Sequence, residues 1–244
     1  MTASIALQLY TVRELMAKDF EGTVRKVAEI GYPGVEVSEF AGRDSVEVGK
    51  FLDGLGLRVA GVHGPLPLGG DANRVLDTAA AFGCTRLVSG KGPDDVKTMD
   101  LIKRTCDEIN AAMPFVRQHG LSLSLHNHWW EFEEIDGRRV CQVMLDCLDK
   151  DVLFEVDVYW AQTGGANPAA ALKELGPRAK LLHIKDGPCK KGVPMTAVGE
   201  GMVDMPAVLE AAQAHAEWLI VELDECATDM MEAVAKSYRY LAAR

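Results

Sequence analysis

Short apolar runs that each end in a polar or ionisable residue recur along the whole chain. Such runs, bounded by turns, are typical of buried parallel strands. In sheets of parallel strands, ligands bind beyond the carboxyl ends of the strands. The pattern therefore predicts a functional site where the polar ends of several strands meet. In chain order, the residues that close these runs are Glu36, His63, His126, Asp157, His183 and Glu222.

Strand-like runs alternate with amphipathic helical segments over the full length, without a linker or charge block that would mark a second domain. The chain has 244 residues, close to the roughly 250 of a single (β/α)8 barrel. We therefore predict an α/β fold with one TIM-barrel domain over residues 1–244. A doubly wound open sheet is the alternative, but its glycine-rich turn should follow the first strand, where the chain reads LQLYTVRELM. The predicted strands are residues 5–10, 33–37, 57–62, 85–89, 121–126, 152–157, 180–184 and 218–222.

Local signals refine this alternation at three places. Asp19 and Gly31 bracket the first long helical segment as its N-cap and its terminal glycine. Pro114 lies inside the segment 97–119 and is expected to kink or divide it. The dipeptide Asp-Gly between FEEI and RRV predicts a β-hairpin after the fifth strand. An elaborated loop at this end of a barrel strand is a common place for functional residues.

The chain carries a formal net charge of −10 and no cluster of lysine and arginine. Binding to a phosphate backbone depends on basic residues, so we expect no nucleic-acid partner. No apolar stretch approaches the roughly 20 residues of a membrane span, and the N-terminus lacks the basic segment of a signal peptide. The six cysteines are scattered without a C-x-x-C pair, as is typical of free thiols in a reducing compartment. We therefore expect a cytoplasmic protein without a membrane partner.

Asp157, His183 and Glu222 end three consecutive predicted strands and should project from the same barrel mouth. Mixed carboxylate and imidazole ligands suit Mn²⁺, Zn²⁺, Co²⁺ or Mg²⁺, so we predict one divalent metal ion as cofactor. A fourth ligand is expected from the segment after the fifth strand. His126 holds the strand-end position, whereas Glu131 is the more basic group and is favoured as ligand or base.

Residues around this centre are candidates for contacts with a substrate. A residue two positions from a ligand on the same strand has the same parity and faces the same side. Tryptophan faces pack well against the C–H surface of a sugar, and the tryptophans at 129, 130 and 160 flank the predicted mouth. The GEG segment at 199–201 resembles a phosphate-cradling turn near the last two strands. The predicted substrate contacts are Glu36, His63, His128, Trp130, Trp160 and Lys185.

Six motifs spread over nearly the whole chain resemble the xylose-isomerase-like sugar phosphate isomerase/epimerase superfamily, which also contains endonuclease IV and inosose dehydratases. The motifs are LQLYTVR, HNHWWEF, EVDVYW-x4-GANP, LLHIKDG, AVGEGMVD and LIVELDE. The resemblance implies the barrel predicted above and one divalent metal among the groups that end strands five to eight. Epimerases of this group usually have glutamate at the position of His126, so the choice between His126 and Glu131 stays open. The HNHxxEF form is similar to relatives that act on inososes and keto-sugars.

The DNA-cleaving branch of this superfamily is disfavoured residue by residue. Endonuclease IV holds three zinc ions with an additional Asp-x-His pair, where this chain has Val193 and Met195. The histidine three residues past its sixth-strand aspartate is Trp160 here, and no histidine follows the fourth strand in VSGKGP. Three zinc ions are not held without those ligands, in agreement with the acidic net charge.

The sequence therefore favours a metal-dependent isomerase or epimerase of a small keto-sugar, inosose or sugar phosphate. The metal would act as a Lewis acid, Glu131 or Glu222 would remove an α-proton, and the metal-bound enediolate would be reprotonated. A dehydratase or lyase of the inosose dehydratase type uses the same base and metal, and a non-catalytic sugar-binding barrel is a third hypothesis. The expected partner is a small-molecule carbohydrate, and the sequence leaves open a homo-oligomer.

Overall fold

The computed structural model describes residues 3–38, 40 and 42–244. In this part of the chain, eight strands form a closed parallel barrel and two short strands form a separate antiparallel hairpin. The strands are β1 (Ser4–Gln8), β2 (Gly34–Val37), β3 (Arg58–His63), β4 (Arg86–Gly90), β5 (Ser122–His126), β6 (Glu134–Ile135), β7 (Arg138–Arg139), β8 (Leu153–Asp157), β9 (Ala179–Ile184) and β10 (Trp218–Val221).

The barrel closes because β1 pairs with both β2 and β10. Around the ring the order is β1, β2, β3, β4, β5, β8, β9 and β10, so each barrel strand lies beside the next one in the sequence. This arrangement confirms the predicted (β/α)8 TIM barrel. The ends of every barrel strand lie within two residues of the predicted ends, because buried apolar runs bounded by turns leave little freedom in placing a strand.

Helices connect the barrel strands and cover the outside of the ring. Asp19 caps the first long helix through the backbone N–H of Gly22, and Gly31 ends it with a φ of 114°, as predicted. No helix in the described part of the chain is long and apolar enough to cross a membrane. The helices are α1 (Arg13–Met16), α2 (Phe20–Ile30), α3 (Ser45–Gly54), α4 (Asp71–Ala81), α5 (Met99–Gln118), α6 (Val140–Cys147), α7 (Val158–Thr163), α8 (Pro168–Leu175), α9 (Met205–Ala212) and α10 (Met230–Ala242).

Two local sequence signals have different outcomes. Asp136 and Gly137 connect β6 to β7 with φ values of 51° and 76°, which a tight two-residue turn requires, so the predicted hairpin is confirmed. By contrast, α5 runs without a break through Pro114, so the predicted division of this segment is wrong. The proline removes one backbone hydrogen bond, but the neighbouring buried side chains of Ile109 and Met113 hold the helix against the barrel.

The first strand ends two residues earlier than the sequence predicts. The side-chain oxygen of Gln8 accepts a hydrogen bond from the backbone N–H of Tyr10 at 3.1 Å. This contact caps a 3-10 turn over Leu9–Val12, which turns the chain away from the sheet. Gln8 itself stays buried inside the barrel with 1% exposure.

The interior of the barrel is divided into an apolar lower zone and a polar upper zone. Inward side chains of barrel strands stack in layers, and the residues nearest the amino ends of the strands form the lower zone. Polar side chains near the carboxyl ends form the upper zone, which is where barrel enzymes carry their active sites. The buried members of the lower zone are Ala6, Ala60, Val88, Leu181, Trp218 and Ile220.

Asp186, directly after β9, organises the long loop that leads to α9. Its carboxylate accepts hydrogen bonds from the backbone N–H groups of Gly187, Gly199 and Val203 at 2.9, 2.9 and 3.1 Å. A Cβ atom on Gly201 would meet Asp186 Oδ1 at 2.1 Å, so the loop packs tightly around this carboxylate. The glycines of the GEG segment thus allow close packing, and the segment does not form the phosphate cradle that its sequence resembles.

Replacing Gly201 by alanine should destabilise the protein by about 1–3 kcal/mol, the usual effect of overpacking a filled site. The new Cβ atom would meet both Asp186 Oδ1 and the backbone nitrogen of Gly187 at 2.1 Å, so the loop must shift. Urea denaturation measures the free energy of unfolding. The control is Gly54→Ala at the end of α3, where a Cβ atom meets nothing within 4 Å. Equal stability of Gly201→Ala and the unaltered protein would contradict this packing.

Candidate metal centre

Four ionisable side chains from four neighbouring barrel strands meet at the carboxyl end of the barrel. His126 and Asp157 are the last residues of β5 and β8, His183 lies in β9, and Glu222 directly follows β10. Each residue offers one ligand atom, and these four atoms lie within 4.8 Å of one another. All four residues are buried. The structure therefore brings together the three residues expected to share a barrel mouth and adds His126 to them.

Each of these four residues has a buried nitrogen or oxygen atom without a hydrogen-bond partner. His183 Nδ1 and Glu222 Oε2 lie only 2.7 Å apart, yet neither atom has a partner in hydrogen-bond geometry. Two of the four atoms, Asp157 Oδ2 and Glu222 Oε2, lie 3.0 and 2.8 Å from the ammonium of Lys185, so the protein balances part of their charge. A buried polar atom with incomplete hydrogen bonding costs free energy, and a ligand bound among these atoms would remove that cost. The four atoms are His126 Nδ1, Asp157 Oδ2, His183 Nδ1 and Glu222 Oε2.

This donor set fits one divalent cation. Two imidazole nitrogens and two carboxylate oxygens are a mixed set of the kind that first-row divalent metals accept. The double positive charge of the cation would balance the two carboxylates of Asp157 and Glu222. The donor set leaves the identity of the metal open among Mn²⁺, Zn²⁺, Co²⁺ and Mg²⁺.

Glu131 lies apart from this cluster. Its Oε2 accepts a hydrogen bond from the backbone N–H of His128 at 2.8 Å, inside the short turn that follows β5. Burial raises the pKa of Glu131 to about 8, so the group is mostly protonated at neutral pH. No metal-ligating group of the described residues includes Glu131. The preference of the sequence analysis for Glu131 as ligand or base is therefore not supported by the geometry, which favours His126.

Lys185 lies beside the two carboxylates of the cluster. Its Nζ lies 3.0 Å from Asp157 Oδ2 and 2.8 Å from Glu222 Oε2, and it donates hydrogen bonds to both oxygens of Asp224 at 3.0 Å. Burial alone would lower the pKa of Lys185, but the carboxylates of Asp157, Glu222 and Asp224 outweigh it and raise the pKa. The buried ammonium is therefore charged. Asp224 was not predicted from the sequence, because it lies beyond the end of its apolar run.

A second polar layer lies directly beneath the cluster. His183 Nε2 and Glu36 Oε2 are 2.6 Å apart, and His63 Nε2 and Glu155 Oε2 are 2.7 Å apart. His63, His126, Glu155 and His183 also have ligand atoms within 4.8 Å of one another. Here the two shortest contacts satisfy hydrogen-bond geometry, although Glu36 Oε1 and Glu155 Oε1 are buried without a hydrogen-bond partner. This layer is a hydrogen-bonded support for the cluster above it.

The two carboxylates of this layer differ in protonation. Burial raises the pKa of Glu36, but the rings of His63 and His183 outweigh it and lower the pKa to about 2. Burial and the charge of Glu36 raise the pKa of Glu155 to about 8. Neither carboxylate has exposed surface, so Glu36 lies beneath the accessible part of the mouth, and its contact with a substrate stays a prediction. His63 keeps 19% of its side chain exposed and remains accessible.

Aromatic side chains form one wall of the mouth. The rings of His128 and Trp130 are stacked with centroids 4.2 Å apart and an angle of 17° between their planes. Trp129 packs against Trp160 with centroids 4.9 Å apart, and Lys185 Nζ lies 5.6 Å from the centroid of Trp160. Trp160 is 9% exposed, so the predicted contact of this residue with a substrate is limited to its edge.

A cavity of about 830 Å³ lies at the opposite end of the barrel. It is lined by the first residues of several strands, including Ser4, Arg58 and Trp218. It contains none of the clustered residues, and this end of a TIM barrel contributes to stability rather than to catalysis. We therefore place the candidate site at the carboxyl ends of the strands.

Solved structures share this fold. A sugar phosphate isomerase/epimerase from Parabacteroides distasonis ATCC 8503 has a TM-score of 0.85 at 24% sequence identity, over 100% of this chain and 94% of that one. The probable 3-DHS dehydratase AsbF from Bacillus anthracis has a TM-score of 0.76 at 14% identity, over 100% of both chains. An L-ribulose 3-epimerase has a TM-score of 0.74 at 15% identity, over 99% of this chain and 94% of that one. At these identities the likeness shows the common fold.

Sequence comparison assigns the family. No curated protein matches the chain. The family model described as the xylose isomerase-like TIM barrel, however, matches residues 24–243, which include the whole barrel from β2 onward and every residue of the cluster. The chain therefore belongs to the xylose isomerase-like TIM barrel family.

Proposed function

We propose that this protein is a metal-dependent isomerase or epimerase of a small polyhydroxy carbonyl compound, such as a keto-sugar, an inosose or a sugar phosphate. The observation that carries this proposal is the convergence of four buried ionisable side chains at the barrel mouth, whose ligand atoms lie within 4.8 Å of one another. Membership of the xylose isomerase-like family supports it. The net charge of −10 and the missing ligands for further metals argue for a small carbohydrate as the partner rather than a nucleic acid.

His126, Asp157, His183 and Glu222 would hold the cation. We favour His126 over Glu131 as the fourth ligand, because Glu131 is hydrogen-bonded within its own turn. When bound, a divalent cation supplies Lewis acidity to a carbonyl group and its adjacent hydroxyl, which makes the neighbouring C–H more acidic.

Glu222 is the residue that we propose as proton acceptor. Its side chain keeps 8% of its surface exposed, whereas that of Asp157 is fully buried, so a substrate that enters from the mouth meets Glu222. Burial raises the pKa of Glu222, but Lys185 and His183 outweigh it and hold the pKa well below its usual range. Glu222 is therefore ionised at neutral pH and can accept the α-proton, a step that typically contributes ~10²–10⁴-fold to the rate.

Two further groups assist this proton transfer. The charged Lys185 Nζ, 2.8 Å from Glu222 Oε2, stabilises the negative charge that develops on a substrate oxygen as the proton leaves. Burial and the charge of Lys185 lower the pKa of His128 to about 4, so this imidazole is neutral, and its buried Nδ1 has no hydrogen-bond partner. His128 can therefore donate a hydrogen bond from its ring N–H to an oxygen of the resulting enediolate. Proton return to the neighbouring carbon gives an isomer, and return to the opposite face gives an epimer.

We propose that the accessible rim binds the carbon skeleton of the substrate. The stacked rings of His128 and Trp130 present flat faces to C–H-rich surfaces. His63, with 19% of its side chain exposed, and the edge of Trp160 are further contacts. Glu36 is left out of this set, since it has no exposed surface.

A dehydratase is the second candidate function. The same base would remove the α-proton, and the C–O bond to a β-hydroxyl would break as the C=C bond forms and water leaves. This outcome needs a proton donor for the departing hydroxyl. The charged Lys185 ammonium, within 3.0 Å of the two carboxylates in the proposed metal cluster, would stabilise the negative charge on the departing oxygen.

The proposed reaction predicts exchange of the substrate α-proton with solvent. Incubation of the Mn²⁺-loaded protein with keto-sugars, inososes and their phosphates in D₂O, followed by ¹H NMR, should show deuterium at one carbon of the true substrate. Glu222→Gln should slow this exchange by ~10²–10⁴-fold, because it removes the proton acceptor. Glu225→Gln, an exposed neighbour, is the matched control and should exchange at the rate of the unaltered protein.

The product separates the two candidate functions. Deuterium without loss of water supports an isomerase or epimerase, and an unsaturated product supports the dehydratase instead. If no compound of these classes exchanges and neither Mn²⁺ nor Zn²⁺ binds, the proposal fails in favour of a non-catalytic sugar-binding barrel.

Glu131→Gln should stabilise the protein, and the gain should grow between pH 5 and pH 8. Burial raises the pKa of Glu131 from 4.5 to about 8, so between these values the folded state retains a proton that the unfolded state releases. Stability is therefore lost as the pH rises through this window. Glutamine does not titrate, so the free energy of unfolding of the variant does not fall for this reason as the pH rises. Thermal unfolding of both proteins at the two pH values measures the gain.

Glu134→Gln, at an exposed hairpin position, is the matched control and should show no pH-dependent gain. The zinc affinity of Glu131→Gln should change by much less than the ~10-fold expected when a residue that supports a metal ligand is altered. Loss of zinc binding in this variant would restore Glu131 as the fourth ligand.

A further inference from the structure

We infer that Glu36 is a positioning residue, which orients the ring of His183 and selects the tautomer whose Nδ1 lone pair faces the cluster. This inference rests on the proposed metal site and assigns to Glu36 a role other than contact with a substrate. A metal-ligating histidine usually donates its other ring N–H to a carboxylate or carbonyl, which fixes the ring and raises its basicity. His183 has such a partner, since its Nε2 lies 2.6 Å from Glu36 Oε2 in hydrogen-bond geometry.

The direction of this hydrogen bond follows from a chain of contacts that begins at the backbone. The N–H of Tyr10 can only donate, and it lies 3.1 Å from Gln8 Oε1. Ser38 Oγ donates to the same oxygen at 3.2 Å. These two donors determine which end of the Gln8 amide is the oxygen. Gln8 Nε2 is therefore left to donate to Glu36 Oε2 at 2.7 Å.

Glu36 Oε2 thus accepts from Gln8 on one side, and it is an acceptor toward His183 on the other. A histidine that binds a metal is neutral, and with its one ring proton on Nε2 the Nδ1 of His183 carries the free lone pair. That atom is the one that is buried without a hydrogen-bond partner and lies 2.7 Å from Glu222 Oε2. The order of donors and acceptors is therefore set from a backbone amide through two buried side chains to the proposed ligand atom.

Close packing keeps Glu36 in place. The residue has no exposed surface, and a Cβ atom on Gly61 of the neighbouring strand would meet Glu36 Oε1 at 2.6 Å. Glu155 is the other carboxylate near this ring, with Oε2 at 3.1 Å from His183 Nε2. The shortest contact of Glu155 is with His63 Nε2 at 2.7 Å, and Glu155 Oε2 also lies 3.3 Å from His126 Nδ1. The shortest carboxylate contact of His183 Nε2 is with Glu36.

The test compares metal affinity in four variants of the full chain, with Co²⁺ as the probe. Competition with a chromophoric chelator gives the Kd, and the visible absorption of bound Co²⁺ reports the geometry of its ligands. Glu36→Gln keeps the shape and the acceptor but removes the charge, so we expect about 10–100-fold weaker binding. Gln8→Met and the control Glu134→Gln, at an exposed hairpin position, should each change the Kd by much less than ~10-fold.

The double variant Gln8→Met with Glu36→Gln tests the chain of contacts itself. Without the Gln8 donor, the amide of the new glutamine is free to turn its NH₂ group toward His183 Nε2. This contact selects the tautomer with the proton on Nδ1, which cannot bind the metal through that nitrogen. We expect the loss of affinity to exceed the product of the two single losses. A purely structural role of Glu36 would give multiplicative losses and an unchanged Co²⁺ spectrum.

A measurement on the unaltered protein covers the case in which a variant fails to fold. Long-range ¹H–¹⁵N NMR of the Zn²⁺-loaded protein should show the ring proton of His183 on Nε2. A proton on Nδ1, or Co²⁺ affinity of Glu36→Gln equal to that of the unaltered protein, would overturn the inference while leaving the metal site standing. An unaltered protein that takes up no Co²⁺ would instead overturn the proposed metal site and this inference with it.

Discussion

The burial of four carboxylates inside one barrel is the constraint on which the rest of the structure depends. Glu36, Glu155 and Asp157 are 0% exposed, and Glu222 is 6% exposed. An ionised group taken out of water costs several kcal/mol unless it is paired. The barrel meets this cost differently for each group. Glu155 keeps a proton, Glu36 accepts two short hydrogen bonds, and the remaining two carboxylates face the ammonium of Lys185 and the proposed cation.

The same constraint explains the layered interior of the barrel. An apolar floor around Trp218 closes the amino end, the hydrogen-bonded layer of Glu36 and Glu155 lies above it, and the metal cluster lies at the mouth. Glu36 in the middle layer forms a hydrogen bond with His183 of the cluster above it. This contact and the barrel strands hold the proposed ligands in fixed orientations. The groups that would meet the substrate, such as His128 and Trp130, lie instead on the loop after β5. Loops tolerate change better than strands, so residues on this loop can vary without disturbing the barrel.

Sequence patterns predict the barrel strands and their order well, because these depend on buried apolar runs and on the alternation of strands with helices. The strand ends at His126, Asp157 and His183 follow from apolar runs that stop at a polar residue, and their convergence follows from barrel topology. Glu155 was missed because it interrupts the run LFEV and was counted as part of an apolar strand. Its parity with Asp157, two residues further on, is the signal that could have placed it inside the barrel.

Other site residues depend on three-dimensional details that no pattern carries. The direction of Glu131 is decided by a short turn whose N–H groups bind its carboxylate, and proximity in sequence to His126 gives no warning of this. The burial of Glu36 depends on Gly61 and Gln8, which lie on two other strands.

The central claim, that four buried side chains at the mouth bind one cation, is tested most directly by anomalous diffraction from crystals grown with Zn²⁺. We predict one peak ~2.0–2.2 Å from a ring nitrogen of His126, a carboxylate oxygen of Asp157 and of Glu222, and His183 Nδ1. No peak at the mouth, or a peak on the Nε2 side of His183, would contradict the claim.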